Sequence, residues 1–323
     1  MCGLMSCSNL IKKEPHYDIC FHGEQSQKKN TPFIVTGKNV TVVGMLGSSI
    51  STSDSMWNDM TGIWLDSTKI VDCMWLKISD GVNNEEGVLK PSEMVVYPHH
   101  LAFDYPDVLE GITVKSELLA SDAETGVMQS FYIKNNTDKD RSINLEFVVE
   151  TNLKVASCFE GERRGPGNML DWDSKGNIFA VNNWKNDSYV VWGSDIKVAS
   201  FGTGMSGGKG ARTVLSSMYS QLFLKAGKRQ RVTYILVGST QLLEDAKECY
   251  NKLWENKDKE LDRKKEDISL VLEEACLQSD SLIFLDKKFY WSVISRYWQH
   301  SSVNNSKVPV NILVNKMMEN LDI

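Results

Sequence analysis

The sequence has no run of about 20 apolar residues, so no membrane-spanning helix is expected from it. It also has no basic excess. Lys and Arg number 36 against 42 Asp and Glu, a net charge of -6, which excludes the basic face that nucleic-acid binding requires. Proline is scarce, seven against 22 glycines, so tight turns fall to glycine. Seven cysteines (Cys2, Cys7, Cys20, Cys73, Cys158, Cys249, Cys276) are scattered, odd in number and without a CxxC pair. That spacing builds neither a metal cluster nor a disulfide framework, and reduced thiols in small apolar sites are the simpler expectation. Nothing points to a bound metal or to any other cofactor.

What the sequence does have is period-two alternation. From Pro32 onward apolar and polar residues alternate, with no helical segment before Ser239. Val127, Gln129, Phe131 and Ile133 mark one strand and Ile143, Leu145, Phe147 and Val149 the next, around the polar turn Asn135-Asn136-Thr137-Asp138; a hairpin is expected here. A second is expected where Leu215 to Leu224 and Arg231 to Val237 flank Ala226-Gly227-Lys228. A third falls where Tyr189 to Trp192 and Ile196 to Val198 flank Gly193-Ser194-Asp195. Strands repeated in this way predict a mainly β fold, a large antiparallel sandwich over residues 31–238.

At Ser239 the period becomes 3.6. Leu242, Leu243, Ala246, Cys249, Tyr250, Leu253 and Trp254 line one helix face, with Thr240 as the expected N-cap. Lys257 to Asp267 is a mixed-charge run, read as a solvated helical linker within residues 239–280. Residues 281–323 hold a last helix, Ser281 to Gln299, and a frayed tail. Its broad stripe of Leu282, Leu285, Phe289, Val293 and Tyr297, widened by Tyr290, Ile294 and Trp298, calls for a partner.

No complete catalytic site is legible. Gly202 to Gly210 is glycine-rich, yet Thr203 and Gly210 stand where a phosphate loop needs glycine and a hydroxyl. Asp171-Trp172-Asp173-Ser174-Lys175-Gly176 has a faint calcium-loop outline spoiled by Lys175 and Asn182, and a loop rim is expected there. His99 and His100 are adjacent; on a strand they point to opposite faces and do not chelate one ion together. Asp171 and Asp173 share a face if they lie on a strand, but nothing identifies a glycosidase acid pair. Arg163 and Arg164 offer an anion clamp, and Trp172 and Trp184 offer rings for stacking on a sugar; a solvated loop and core packing are the competing readings. These six residues are the carbohydrate-contact candidates.

The N-terminus and one long segment add resemblances. Leu4-Met5-Ser6-Cys7 resembles a lipobox, with Cys7 the lipidation candidate and residues 1–30 a signal remnant and tether. That places the protein as a periplasmic or outer-membrane lipoprotein, touching a membrane only through the lipid. The charged and apolar front half of a signal peptide is missing, so the alternative is a ragged cytosolic N-terminus. Thr36 to Gly44, Gly47-Ser48, Met60-Thr61-Gly62-Ile63-Trp64, Lys69 to Asp72 and Trp75 resemble the opening of bacterial glycogen-debranching-type proteins, the amylo-α-1,6-glucosidase, six-hairpin glycosidase group. Asp66-Ser67-Thr68 departs from the His-Pro of that group. The resemblance implies a β-supersandwich, linker helices and the first helix of an (α/α)6 barrel whose acid and base carboxylates lie beyond this sequence. It makes the chain a non-catalytic domain of a protein hydrolysing α-glucosidic bonds in oligosaccharides or glucans. The alternative is a stand-alone carbohydrate-binding sandwich.

Overall fold

The structure, a computed structural model, describes residues 21–24, 32–37, 39–45, 61–65, 68–155, 168–183, 187–206 and 213–278. Its described residues form a mainly antiparallel β fold, as the alternation predicts. The largest sheet has nine strands in the spatial order β1 (Phe21–Glu24), β8 (Glu93–Val96), β9 (Leu101–Leu109), β10 (Ile112–Ala120), β11 (Gly126–Asn135), β19 (Arg229–Ser239), β16 (Ser188–Ser194), β15 (Ile178–Asn183) and β14 (Asn168–Asp173). A second sheet runs β17 (Ser200–Ser206), β18 (Thr213–Leu224), β12 (Arg141–Thr151), β6 (Cys73–Asp80) and β7 (Glu86–Gly87). A third runs β13 (Lys154–Val155), β5 (Thr68–Val71), β4 (Gly62–Leu65), β3 (Val40–Met45) and β2 (Pro32–Gly37).

The first two sheets face each other across an aromatic core. Phe147 of β12 stacks on Tyr234 of β19 with ring centroids 3.8 Å apart, and Phe131 meets both edge-on. Trp192 Nε1 donates to Ser216 Oγ at 3.0 Å, so even its polar atom is satisfied between the layers.

All three expected hairpins are corrected. β11 pairs with β10 and β19, while β12 pairs with β6 and β18; the strands are where the alternation puts them, but they lie in opposite sheets. β18 and β19 are split between the sheets likewise. Ile196 to Val198 lies outside any strand, and β16 passes to β17 in the other sheet. Alternation fixes which face of a strand is buried, and a strand that crosses to the other layer buries its apolar face just as one that pairs alongside does. Two of the crossings are stitched together. Asn135 N donates to Lys228 O at 3.0 Å, Gly227 N to Thr137 O at 3.2 Å, and Ala226 N to Asp140 Oδ1 at 2.9 Å.

The Gly62-Ile63-Trp64 and Lys69 to Asp72 segments become one packed unit. Lys69 Nζ lies 3.0 Å from Asp72 Oδ1 and 5.7 Å from the centre of the Trp64 ring, and all three residues are largely buried. Gly62 has φ +132°, and a Cβ there would run into the carbonyl oxygen of Val71 and the Lys69 side chain. Gly62→Ala is expected to cost about 2–3 kcal/mol of stability, read as a fall in the urea midpoint.

α1 (Leu243–Asn256) lies on the outer face of the nine-stranded sheet, where it buries Ala246, Tyr250 and Leu253 against Met128, Val191 and Ile235, and α2 (Glu260–Gln278) follows it. Thr240 is not the cap. Leu242 holds the N-cap position without a side-chain bond, and Ser239 Oγ accepts from the amides of Gln241 and Leu242 at 3.1 and 3.3 Å. The charge run of α2 is only partly solvated. Glu260, Lys264 and Ile268, spaced one turn apart, are 2%, 0% and 4% exposed. Lys264 Nζ donates to Thr36 O (2.5 Å) and Ala120 O (2.7 Å) and pairs with Asp122 (3.2 Å), and Glu260 accepts from Ser121 Oγ and Arg263. The last helix of residues 281–323 lies outside the described residues.

Candidate functional site

The part of the outer face of the nine-stranded sheet that α1 leaves open, over β8 to β11, is polar. Register lines up Glu93, Asp104, Lys115, Tyr132 and Arg231 in one cross-strand row over β8 to β19. The neighbouring row carries Glu117. All of these except Arg231 form the floor of a cleft of about 550 Å³, with Leu261 and Lys265 of α2 on one side and Tyr97, His99 and His100 on another.

The floor is internally paired. Lys115 Nζ lies 2.7 Å from Asp104 Oδ2, Tyr132 Oη donates to Glu117 Oε2 at 2.7 Å, and the Arg229 guanidinium sits 5.2 Å from the Tyr132 ring centre. Burial, reinforced by the Glu117 carboxylate, pushes the Tyr132 phenol up to about 12, so it stays a donor. Three carboxylates (Glu93, Asp104, Glu117) and three cations (Lys115, Arg229, Lys265) line the cleft. Their charges cancel.

The histidines differ from the expectation. They sit in the turn between β8 and β9 rather than on a strand, so their rings are brought together, with centroids 4.6 Å apart. Tyr97 stacks on His100 at 4.5 Å and an interplanar angle of 1°. Burial, then the positive charge of His100, then Lys265 and Lys264, pushes His99 down to about 2; burial and the same two lysines push His100 down to about 3. Both imidazoles are therefore neutral at pH 7. His100 is only 7% exposed, and its Nδ1 has no hydrogen-bond partner among the described residues. A buried polar nitrogen at the edge of a cleft is costly unless something else satisfies it.

Three of the six carbohydrate-contact candidates lie among the described residues. Asp171, Trp172 and Asp173 are on β14, not on a loop rim. Trp172 turns inward, half-buried against Phe179 (4.7 Å) and Phe201 (4.8 Å), while the two aspartates alternate to the other face. Asp173 Oδ1 accepts from the amides of Lys175 (2.9 Å) and Gly176 (3.1 Å), bonds that hold its carboxyl below the usual range and commit it to the β14–β15 turn. Trp172→Ala is expected to cost about 2 kcal/mol of stability in urea unfolding. Arg163, Arg164, Trp184 and Cys7 lie outside the described residues, as does the end of the glycine-rich stretch beyond Ser206. No cluster of three metal-ligating side chains occurs among the described residues.

No protein-family model matches the sequence, and no curated protein matches it significantly. Solved structures are similar in part. A protein described as a kojibiose phosphorylase from the human microbiome is 12% identical with a TM-score of 0.43, over 92% of this chain and 41% of that one. A bacterial glucoamylase complexed with acarbose is 8% identical with a TM-score of 0.46, over 77% of this chain and 38% of that one. A protein described as an aldose 1-epimerase from Escherichia coli is 7% identical with a TM-score of 0.44, over 65% of this chain and 99% of that one. This chain thus spans about two fifths of the length of the phosphorylase and the glucoamylase.

Proposed function

We propose that this chain is the sugar-binding β-sandwich of a carbohydrate-active protein, and that its cleft over β8 to β11 takes a neutral saccharide. The observation that carries this reading is the combination of a charge-cancelled polar floor with a neutral, unsatisfied imidazole at its edge. A saccharide hydroxyl both donates and accepts, so it pairs with a carboxylate, an ammonium group and a neutral imidazole in turn. An anionic ligand would meet Glu93, Asp104 and Glu117, and a cationic one Lys115, Arg229 and Lys265. Tyr97 and Tyr132 supply ring surface beside those polar groups.

The resemblance to debranching-type glycosidases supplies the finer reading. In it the sandwich is non-catalytic and buttresses a helical barrel that hydrolyses α-glucosidic bonds. The burial of Trp64, Lys69 and Asp72 supports a scaffolding role for that motif. Calorimetric titration with maltoheptaose tests the proposal. Binding is expected, with a loss of roughly tenfold on Glu117→Gln and on His100→Leu, and no release of glucose. Turnover by the purified chain, or binding of a uronic-acid oligomer in preference to maltoheptaose, overturns it.

A further inference from the structure

The outer face of the second sheet carries a second cleft, of about 490 Å³, on the opposite layer of the sandwich. Its floor is again a register of outward residues. Tyr219 of β18, Glu146 of β12 and Lys77 of β6 lie directly across from one another. Tyr219 Oη donates to Glu146 Oε1 at 2.9 Å, and Lys77 Nζ lies 3.1 Å from Glu146 Oε2, so one carboxylate anchors both neighbours. The next outward row, about 7 Å along the strands, is Gln221, Asn144 and Ser79, with Glu86 paired beyond Ser79.

The aromatic ring is exposed at the cleft. Gly202 on the neighbouring strand lies diagonally beside Tyr219, and a Cβ there would sit 3.1 Å from Tyr219 Cε2 and 3.3 Å from its hydroxyl. The edge of the ring thus takes up the space beside a residue with no side chain, and Tyr219 keeps 38% of its surface exposed. An exposed ring, with two amides and a hydroxyl one row away, matches the apolar face of a pyranose and the hydroxyls around its edge.

We propose that this face is a second saccharide site, with Tyr219 as the stacking platform and Asn144 and Gln221 reading hydroxyl groups. The inference rests on the carbohydrate reading above but on a different layer and different residues. The ligand class is a neutral oligosaccharide. Glu86 and Glu146 against the single Lys77 disfavour an acidic one. With one site on each layer, a glucan longer than the sandwich is thick can be held twice by one molecule, which raises its apparent affinity over that of a short oligosaccharide.

The test is calorimetric titration of the whole chain with maltoheptaose, comparing the wild type with Tyr219→Ala, Gln221→Ala and Glu117→Gln. The altered side chains of the second cleft are outward-facing, and far-ultraviolet circular dichroism checks that each variant is folded. Two sites per chain are expected. Tyr219→Ala is expected to weaken one of them about tenfold and Gln221→Ala about threefold, while Glu117→Gln weakens only the other. Binding that responds to Tyr219→Ala and not to Glu117→Gln keeps this site and removes the first. The reverse keeps the first site and overturns this inference. Absence of maltoheptaose binding by the folded wild type overturns both.

Discussion

Lys264→Met is expected to destabilise the chain by about 3–5 kcal/mol, whereas Lys265→Met, one residue on, costs less than about 1 kcal/mol. Lys264 is fully buried and its ammonium is held by the carbonyls of Thr36 and Ala120 and by the Asp122 carboxylate. Burial pushes its pKa down against the pull of Asp122 and Glu260. Methionine fills a similar volume but leaves two carbonyls and a carboxylate without their donor, and that desolvation penalty is the cost. Lys265 is 44% exposed and, among the described residues, paired with Asp262 at 3.6 Å. Urea midpoints of the two variants measure the contrast. Equal, small losses for both would mean that α2 is not locked to the sheets through Lys264.

Acidification from pH 8 to pH 5 is expected to remove about 2 kcal/mol for each of His99 and His100, roughly 4 kcal/mol together. In the unfolded chain each imidazole titrates at 6.5; in the folded chain burial and the nearby positive charges hold them at about 2 and 3. A folded pKa below the unfolded one means that the unfolded chain binds more protons in between, so stability is full above pH 6.5 and declines as pH falls toward 3. The double variant His99→Gln, His100→Gln is expected to flatten the difference between pH 8 and pH 5. Urea unfolding of both proteins at the two pH values checks this. A wild-type loss below about 1 kcal/mol would place the imidazoles in contact with solvent.

The strands were legible because alternation is local. Val127 to Ile133 and Ile143 to Val149 are strands β11 and β12, and the period change at Ser239 marks the end of β19. Their pairing was not legible, because whether a chain turns back beside itself or crosses to the other layer depends on turns such as the one organised by Asn135. Its side chain accepts from Thr137 N and donates to Lys139 O. The same gap hid the clefts. Lys115, Glu117 and Tyr132 read as ordinary outward positions, and only register sets them beside Asp104 and Glu93 from strands earlier in the chain. Lys264 and Glu260 read as part of a solvated run because mixed charge carries no mark of the two residues that face inward; their spacing of four was the available signal. Trp172 drew notice as a candidate for sugar stacking, and its ring lies against Phe179 and Phe201.

Nitrogen NMR of the imidazoles during titration with maltoheptaose addresses the first cleft most directly. A neutral ring whose open nitrogen accepts a sugar hydroxyl must show it, so the His100 Nδ1 resonance is predicted to move in step with calorimetric saturation while the ring stays uncharged down to pH 5. A resonance that titrates near 6.5, or that ignores saturating sugar, would contradict the account.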